Sequence, residues 1–234
     1  MCGIIGYVGP RLAVPILLEG LKAQEYRGYD SAGIAVLEND EIRLIRSQGK
    51  IAMLKERVGG EVGTATIGIG HTRWATHGRP SDINSHPHLD CKNEIAMVHN
   101  GIIENFVELR EWLTERGHVF ASQTDTEVLP HLMEHYYHGD LVEAMMQTVE
   151  RLQGSYATVA LCKHEPRKLV AARRDNPLII GLGDGEFFFA SDMAALIQYT
   201  RDVLILQNGD IALITEEGVT VYNDGQQIQR DIHH

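Results

Sequence analysis

At 234 residues, 44% hydrophobic and 23% charged, the chain has the make-up of an ordinary globular protein with one substantial core or two modest ones. Its 21 Lys and Arg against 32 Asp and Glu give a formal charge of −11, which excludes a general nucleic-acid binder and a polybasic membrane surface. No stretch approaches the roughly 20 apolar residues of a membrane span, and the apolar N-terminal run lacks the basic flank of a signal peptide and breaks at Gly6 and Gly9.

Read in chain order, residues 2–8 form a strand that turns at Gly9-Pro10 into a helix with Val14, Leu17, Leu18 and Leu21 on one face. Residues 32–37 and 42–46 predict a hairpin across Glu38-Asn39-Asp40, and further strands fall at 65–70 and 95–99. A second helix carries Phe106, Leu109, Trp112 and Leu113 and stops at Gly117. Thr124-Asp125-Thr126-Glu127 has the spacing of a capping box for a third helix with Val128, Leu129, Leu132, Met133 and Tyr136. Pro130 argues that this helix begins a residue or two later than the box suggests. A fourth, with Leu141, Met145, Val149 and Leu152, ends before Gly154. Seven strands then follow, at 156–162, 169–173, 178–182, 186–190, 203–206, 211–215 and 219–222, separated by turns such as Asn176-Pro177 and Asp224-Gly225. With no Gly/Ser/Pro linker and no internal repeat, this predicts one layered α+β domain, residues 1–234, with largely antiparallel sheets. Residues from about 227 onward, ending Gln-Arg-Asp-Ile-His-His, show no obvious packing partner and read as a linker or tail.

Three cysteines, Cys2, Cys91 and Cys162, are an odd number without C-x-x-C spacing. This argues against a disulfide framework or zinc ribbon and for a reducing cytoplasm. The 12 histidines form no H-E-x-x-H or similar ligand set, and His86-Pro87-His88 reads as polar loop, so no metal is expected.

Candidate chemistry begins at Met1-Cys2-Gly3. Loss of the initiator Met leaves Cys2 with a free α-amine of reference pKa about 7.7–8.0, next to a thiol of about 8.5. The amine can take the thiol proton, so nucleophile and base belong to one residue, and Gly3 leaves room for substrate beside the sulfur. Taken alone, Cys2 reads better as a small buried hydrophobe on the first strand. The Glu25-Tyr26-Arg27-Gly28-Tyr29-Asp30-Ser31-Ala32-Gly33 segment suits close packing near a site or a plain turn. The segment from Gly70 to Gly78 follows a strand and is expected to be a loop. In it, Arg73 can hold a carboxylate in a bidentate fork, and Trp74 either covers a ligand or packs in the core. In His99-Asn100-Gly101, an amide beside a Gly N–H offers two oxyanion donors, or simply a strand-ending turn. Asp125 pairs with a substrate ammonium or caps its helix.

In this order, Cys2-Gly3-Ile4-Ile5-Gly6 and residues 26–33, 71–78, 98–105 and 124–127 resemble the glutaminase half of the glutamine–fructose-6-phosphate aminotransferases, which are class II glutamine amidotransferases. The Tyr26-Arg27-Gly28-Tyr29-Asp30-Ser31-Ala32-Gly33 wording favours these over phosphoribosylamine-forming and asparagine-forming relatives. The resemblance implies the N-terminal-nucleophile (Ntn) hydrolase fold, a four-layer αββα sandwich with two largely antiparallel sheets between helix layers. It implies that Cys2 attacks the side-chain amide of L-glutamine while its α-amine shuttles the proton, and that Asn100 and Gly101 hold the oxyanion. Arg73, Thr76 and His77 then locate the α-carboxylate and Asp125 the α-ammonium. Trp74 rides on a mobile loop that closes over glutamine, and Arg27 supports the nucleophile's surroundings. No cofactor is implied. A sugar-phosphate isomerase half is implied beyond His234, in a full-length enzyme that is a homo-oligomer, so this piece is expected to split glutamine without making glucosamine 6-phosphate. Two other readings stay open: a glutaminase serving a phosphoribosyl acceptor, and a non-catalytic glutamine-binding module.

Overall fold

Alternation of apolar side chains places the first strand in the interior. In β1 (Gly3–Val8), Ile5 and Tyr7 enter one hydrophobic cluster and Ile4 and Val8 another, the two-residue period of a strand buried on both faces. The structure is a computed structural model that describes residues 2–60 and 63–234. After β1 come α1 (Ala13–Ala23), β2 (Ser31–Glu38), β3 (Glu41–Gln48) and α2 (Ile51–Val58). Asn39 and Asp40, with φ of 51° and 62°, close the β2–β3 hairpin in the manner of a two-residue type I′ turn. Then follow β4 (Ile67–Arg73), β5 (His88–Leu89), β6 (Ile95–Ile103), α3 (Phe106–Thr114), α4 (Val128–Tyr136) and α5 (Leu141–Glu150). The remaining strands are β7 (Gly154–Cys162), β8 (Lys168–Arg174), β9 (Ile179–Leu182), β10 (Phe187–Ala190) and β11 (Val203–Ile205). The chain closes with β12 (Ile211–Thr215), β13 (Gly218–Asn223), β14 (Gln226–Ile228) and β15 (Ile232–His233).

The strands form two sheets, ordered β15-β11-β9-β10-β1-β4-β2-β3 and β14-β13-β12-β8-β7-β6-β5. Ile4, Ile69, Val98, Val159, Leu161 and Phe189 meet between them. On the outer face of the eight-stranded sheet, Ile5, Tyr7 and Ile34 pack against Leu17 and Leu21 of α1 and Leu54 of α2. On the other side, Met97, Tyr156 and Ala160 pack against Leu109, Leu132 and Met145 of α3, α4 and α5. Helices thus cover both outer faces, giving the expected αββα order. Each fully buried Ile, Leu or Phe contributes about 1.5–3 kcal/mol of transfer free energy. No helix among the described residues is long and apolar enough to cross a membrane.

Three local expectations are corrected, and a fourth, that the helix carrying Pro130 begins later than its capping box suggests, agrees with the structure. α2 escaped notice because it is only eight residues long and buries only Ile51, Leu54 and Val58. Glu127 does not close a capping box on Thr124: its carboxylate accepts from the N–H groups of Ala121 and Ser122, each at 2.7 Å. α4 begins at Val128, so Pro130 lies in the first turn, where its missing N–H costs no helix bond. The C-terminal residues do have partners. Arg230 forks onto the buried Asp210 at 2.6 and 2.9 Å, and β15 adds an edge strand to β11.

Candidate active site

The site lies where β1, β4 and β6 approach one another. Gly3 pairs with Thr72, so the chain leaving β4 at Arg73 passes directly beside Cys2. Trp74 N–H donates to Cys2 Sγ at 3.1 Å. Burial pushes the Cys2 thiol up, against the pull of that backbone hydrogen bond, so the sulfur rests as a thiol and needs a base. Met1 lies outside the described residues, as does the expectation that it is removed. Gly3 serves a purpose other than the expected one: a Cβ there would fall 2.7 Å from Thr72 Oγ1 and 2.8 Å from Gln24 Oε1. The small residue admits these neighbours to the protein interior rather than substrate to the sulfur.

His71, Thr72 and Arg73 belong to β4 and not to a loop, which starts at Trp74. Likewise β6 runs on through Asn100 and Gly101 to Ile103, so Asn100-Gly101 is neither a strand end nor a turn. Asn100 Nδ2 donates to the Cys2 carbonyl at 3.2 Å, across 98 residues of sequence, and its Oδ1 lies 2.9 Å from His71 Nε2. An amide oxygen only accepts, so His71 is the Nε2–H tautomer and holds the Asn100 amide with its NH₂ toward Cys2. Gly101 has φ of 125°, and a Cβ there would sit 2.0 Å from the Ser155 carbonyl oxygen, so only glycine fits.

Arg73 is buried and donates from Nη2 to the carbonyls of His77 and Gly78. Its Nη1 has no hydrogen-bond partner among the described residues. Asp125 does not cap α4: Oδ2 accepts from Ile103 N–H at 2.9 Å, while Oδ1 lies 3.8 Å from His77 Nδ1. Cys2, Arg73, Trp74, Thr76, Gly101 and Asp125, with His86, His99 and Thr126, line a cavity of about 30 Å³, about the space of one water. A ligand of amino-acid size does not fit this space as it stands, and Trp74 is the exposed residue of its lining. Asp30 anchors residues 74–78, its carboxylate accepting from Ala75 N–H at 2.6 Å, and the Trp74 ring lies over Gly28. Arg27 stands apart from the cavity. Its Nη1 lies 3.4 Å from Ser191 Oγ and 3.5 Å from Asp192 Oδ2, and Ser191 Oγ accepts from Ile4 N–H in β1. Arg27 thus reaches β1, the strand that follows Cys2, through Ser191.

Sequence reasoning missed the parts played by His71, His86 and His99. His71 and Arg73, two apart on one strand, share a face, a signal hidden as long as 71–78 was taken for a loop. His71 and His86 stack at 4.2 Å between ring centroids, and His88 meets His86 at 4.9 Å. Burial holds His71 and His88 neutral down to about 3, and His86 well below its ordinary value. With folded values below the unfolded 6.5, their contribution to stability is complete above about pH 6.5 and is lost as pH falls toward 3. In that window the unfolded chain binds protons that the folded one refuses. Unfolding free energy measured in urea is expected to fall from pH 6.5 to 4.5, by up to about 1.4 kcal/mol per pH unit for each such histidine. A flat profile would contradict this account.

A family model described as a glutamine amidotransferase domain matches residues 71–198, more than half of the chain. The chain belongs to the glutamine amidotransferase family. The match takes in Arg73, Thr76, His77, Asn100, Gly101 and Asp125, while Cys2 and Arg27 precede it. Among curated relatives, the glutamine–fructose-6-phosphate aminotransferase (isomerizing) of Clostridium tetani is 53% identical over 235 residues, covering 100% of this chain and 39% of that protein. The enzyme of the same name from Thermus thermophilus is 50% identical, covering 99% of this chain and 38% of its own length. The chain therefore spans about two-fifths of the relatives it matches. Among solved structures, the glutamine phosphoribosylpyrophosphate amidotransferase of B. subtilis aligns with a TM-score of 0.81 at 27% identity, over 95% of this chain and 49% of that one. A glutamine aminotransferase class-II domain protein from Silicibacter pomeroyi, at 19% identity and a TM-score of 0.58, shares the fold. This amidotransferase has the Ntn-hydrolase sandwich expected from the sequence.

Proposed function

We propose that the chain is a glutaminase whose nucleophile is Cys2, freed as the N-terminal residue by removal of Met1. The observation that carries this is the meeting of Cys2 with Arg73, Gly101 and Asp125 around one cavity, with the Asn100 amide held on the Cys2 carbonyl beside it. The sulfur attacks the side-chain amide carbon of L-glutamine as its proton passes to the α-amine. Asn100 Nδ2 and the Gly101 N–H hold the oxyanion. The ammonium then gives its proton to the departing nitrogen, the C–N bond breaks, and ammonia leaves a γ-glutamyl thioester. Water, deprotonated by the same amine, cleaves the thioester and releases glutamate, so that glutamine and water become glutamate and ammonia. Arg73, through its unpaired Nη1, holds the α-carboxylate together with Thr76 and His77, and Asp125 holds the α-ammonium. Trp74 closes over the bound glutamine, and Arg27 keeps β1 in place. Residues 1–234 form one such domain.

The names and lengths of the curated relatives support a longer enzyme, which we take to be cytoplasmic and homo-oligomeric. In it a C-terminal sugar-phosphate isomerase half takes up the ammonia and makes glucosamine 6-phosphate from fructose 6-phosphate. A phosphoribosyl acceptor has less support, since the amidotransferase named for that donor is 27% identical against 53% for the C. tetani enzyme. The test is glutamate release from L-glutamine by this chain, with its first residue established by intact mass. Turnover from a Cys2-started chain, abolished by a glutamine-like electrophile that adds one label at Cys2, is the expected result. Full activity after stoichiometric labelling would sink the proposal.

A further inference from the structure

Four side chains from three separate pieces of chain converge beside α4. Cys91 sits in the turn between β5 and β6, His118 follows α3, and His131 and Glu134 lie one turn apart on α4. None of them lines the glutamine cavity. One ligand atom from each lies within 4.8 Å of all the others. His118 Nδ1 is 3.7 Å from Cys91 Sγ, 3.3 Å from His131 Nδ1 and 3.1 Å from Glu134 Oε2. His131 Nδ1 is 3.4 Å from the same sulfur and 3.8 Å from the same oxygen.

Hydrogen bonds are available here, with Cys91 N–H donating to Glu134 Oε2 at 3.2 Å, but they engage the four groups only pair by pair. A neutral imidazole carries one N–H, so His118 Nδ1 can serve one of its three close neighbours and His131 Nδ1 one of its three. A central cation serves all four atoms at once. Zinc holds sulfur at about 2.3 Å and nitrogen or oxygen at about 2.0–2.2 Å. A tetrahedron of those bonds has N···N and N···O edges of about 3.4 Å and S···N edges of about 3.6 Å, close to the separations seen. The surroundings also suit a thiolate site. Val119 N–H donates to Cys91 Sγ at 3.4 Å, and the other oxygen of Glu134 faces Lys92 Nζ at 3.5 Å. The second ring nitrogen of His131 is buried, lies 3.8 Å from the Glu127 carboxylate and has no hydrogen-bond partner among the described residues.

We propose that Cys91, His118, His131 and Glu134 form a tetrahedral site for a divalent cation of zinc type, independent of the glutaminase chemistry. Cys91 binds as the thiolate, its proton passing to solvent. By joining the β5–β6 turn, the segment after α3 and α4, the ion ties together three pieces of chain that pack on the seven-stranded sheet.

The test adds Zn²⁺ or Co²⁺ alone to metal-stripped chain. About one equivalent is expected to bind, and Co²⁺ is expected to give the visible bands of a tetrahedral centre with a thiolate charge-transfer band in the near ultraviolet. Cys91→Ser is expected to abolish the charge-transfer band, while Cys2→Ala keeps it. The near-isosteric Glu134→Gln, which leaves α4 intact, is expected to weaken binding by at least about tenfold. Failure of the unaltered chain to bind a stoichiometric ion, or an unchanged Co²⁺ spectrum in Cys91→Ser, overturns the assignment. Neither outcome bears on glutamate release.

Discussion

Cys2→Ala is expected to stop glutamate release, with turnover falling by about 10⁴-fold or more, as when a hydrolase loses its nucleophile. The variant should fold normally, because the Cys2 side chain lies just before β1 and, among the described residues, its hydrogen bonds go to the Trp74 backbone. It should also still bind glutamine, because Arg73 and Asp125 remain. Calorimetry of glutamine binding beside a glutamate assay separates the two effects. Binding without turnover is the expected pair of results; turnover within tenfold of the parent would remove Cys2 from the mechanism. The pH profile carries a second signature. Burial raises the thiol, so the base must take its proton during attack. The rate should therefore rise with pH as the α-amine, of ordinary pKa about 7.7–8.0, loses its own proton. Acetylating that amine should abolish the rise.

Asn100→Ala carries the next largest effect, a loss of about 10²–10³-fold in kcat with KM nearly unchanged. Its NH₂ group faces the nucleophile's own residue and gains its full value only when charge develops on the oxygen of the tetrahedral intermediate. The donor depends on His71, whose Nε2–H fixes the amide orientation. Because His71 stays neutral down to about 3, this hydrogen bond does not titrate in the working range. His71→Phe leaves Asn100 free to rotate and is expected to lower kcat by about tenfold at constant KM, a positioning effect. A rise in KM alone would instead place both residues in ground-state binding.

The chain by itself determined the period-2 and period-3.6 stretches, and these gave β1, α1, the β2–β3 hairpin, α3, α5 and the seven-strand C-terminal series, because burial on a strand or helix repeats at a fixed spacing. Residue chemistry also singled out Cys2, Arg73, Asn100, Gly101 and Asp125 as a nucleophile, oxyanion donors and ligands for a charged amino acid. Local rules failed where a partner distant in sequence overrode them. Glu127 satisfies backbone N–H groups of residues 121 and 122 instead of the helix start. Asp125 is turned from its cap toward Ile103, and the Asn100-Gly101 pair, a turn signal, is drawn into a strand by pairing with Ala157 and Tyr156. Arg230 and the final residues found partners in Asp210 and β11 that no periodicity announces. Only the stacking of one sheet on the other decided which side chains meet. It put the Asn100 amide on Cys2 and His71 behind that amide, while the packing of α3 and α4 on the seven-stranded sheet put Cys91 among His118, His131 and Glu134. Such contacts depend on the register and facing of strands far apart in the chain, which short-range spacing does not encode.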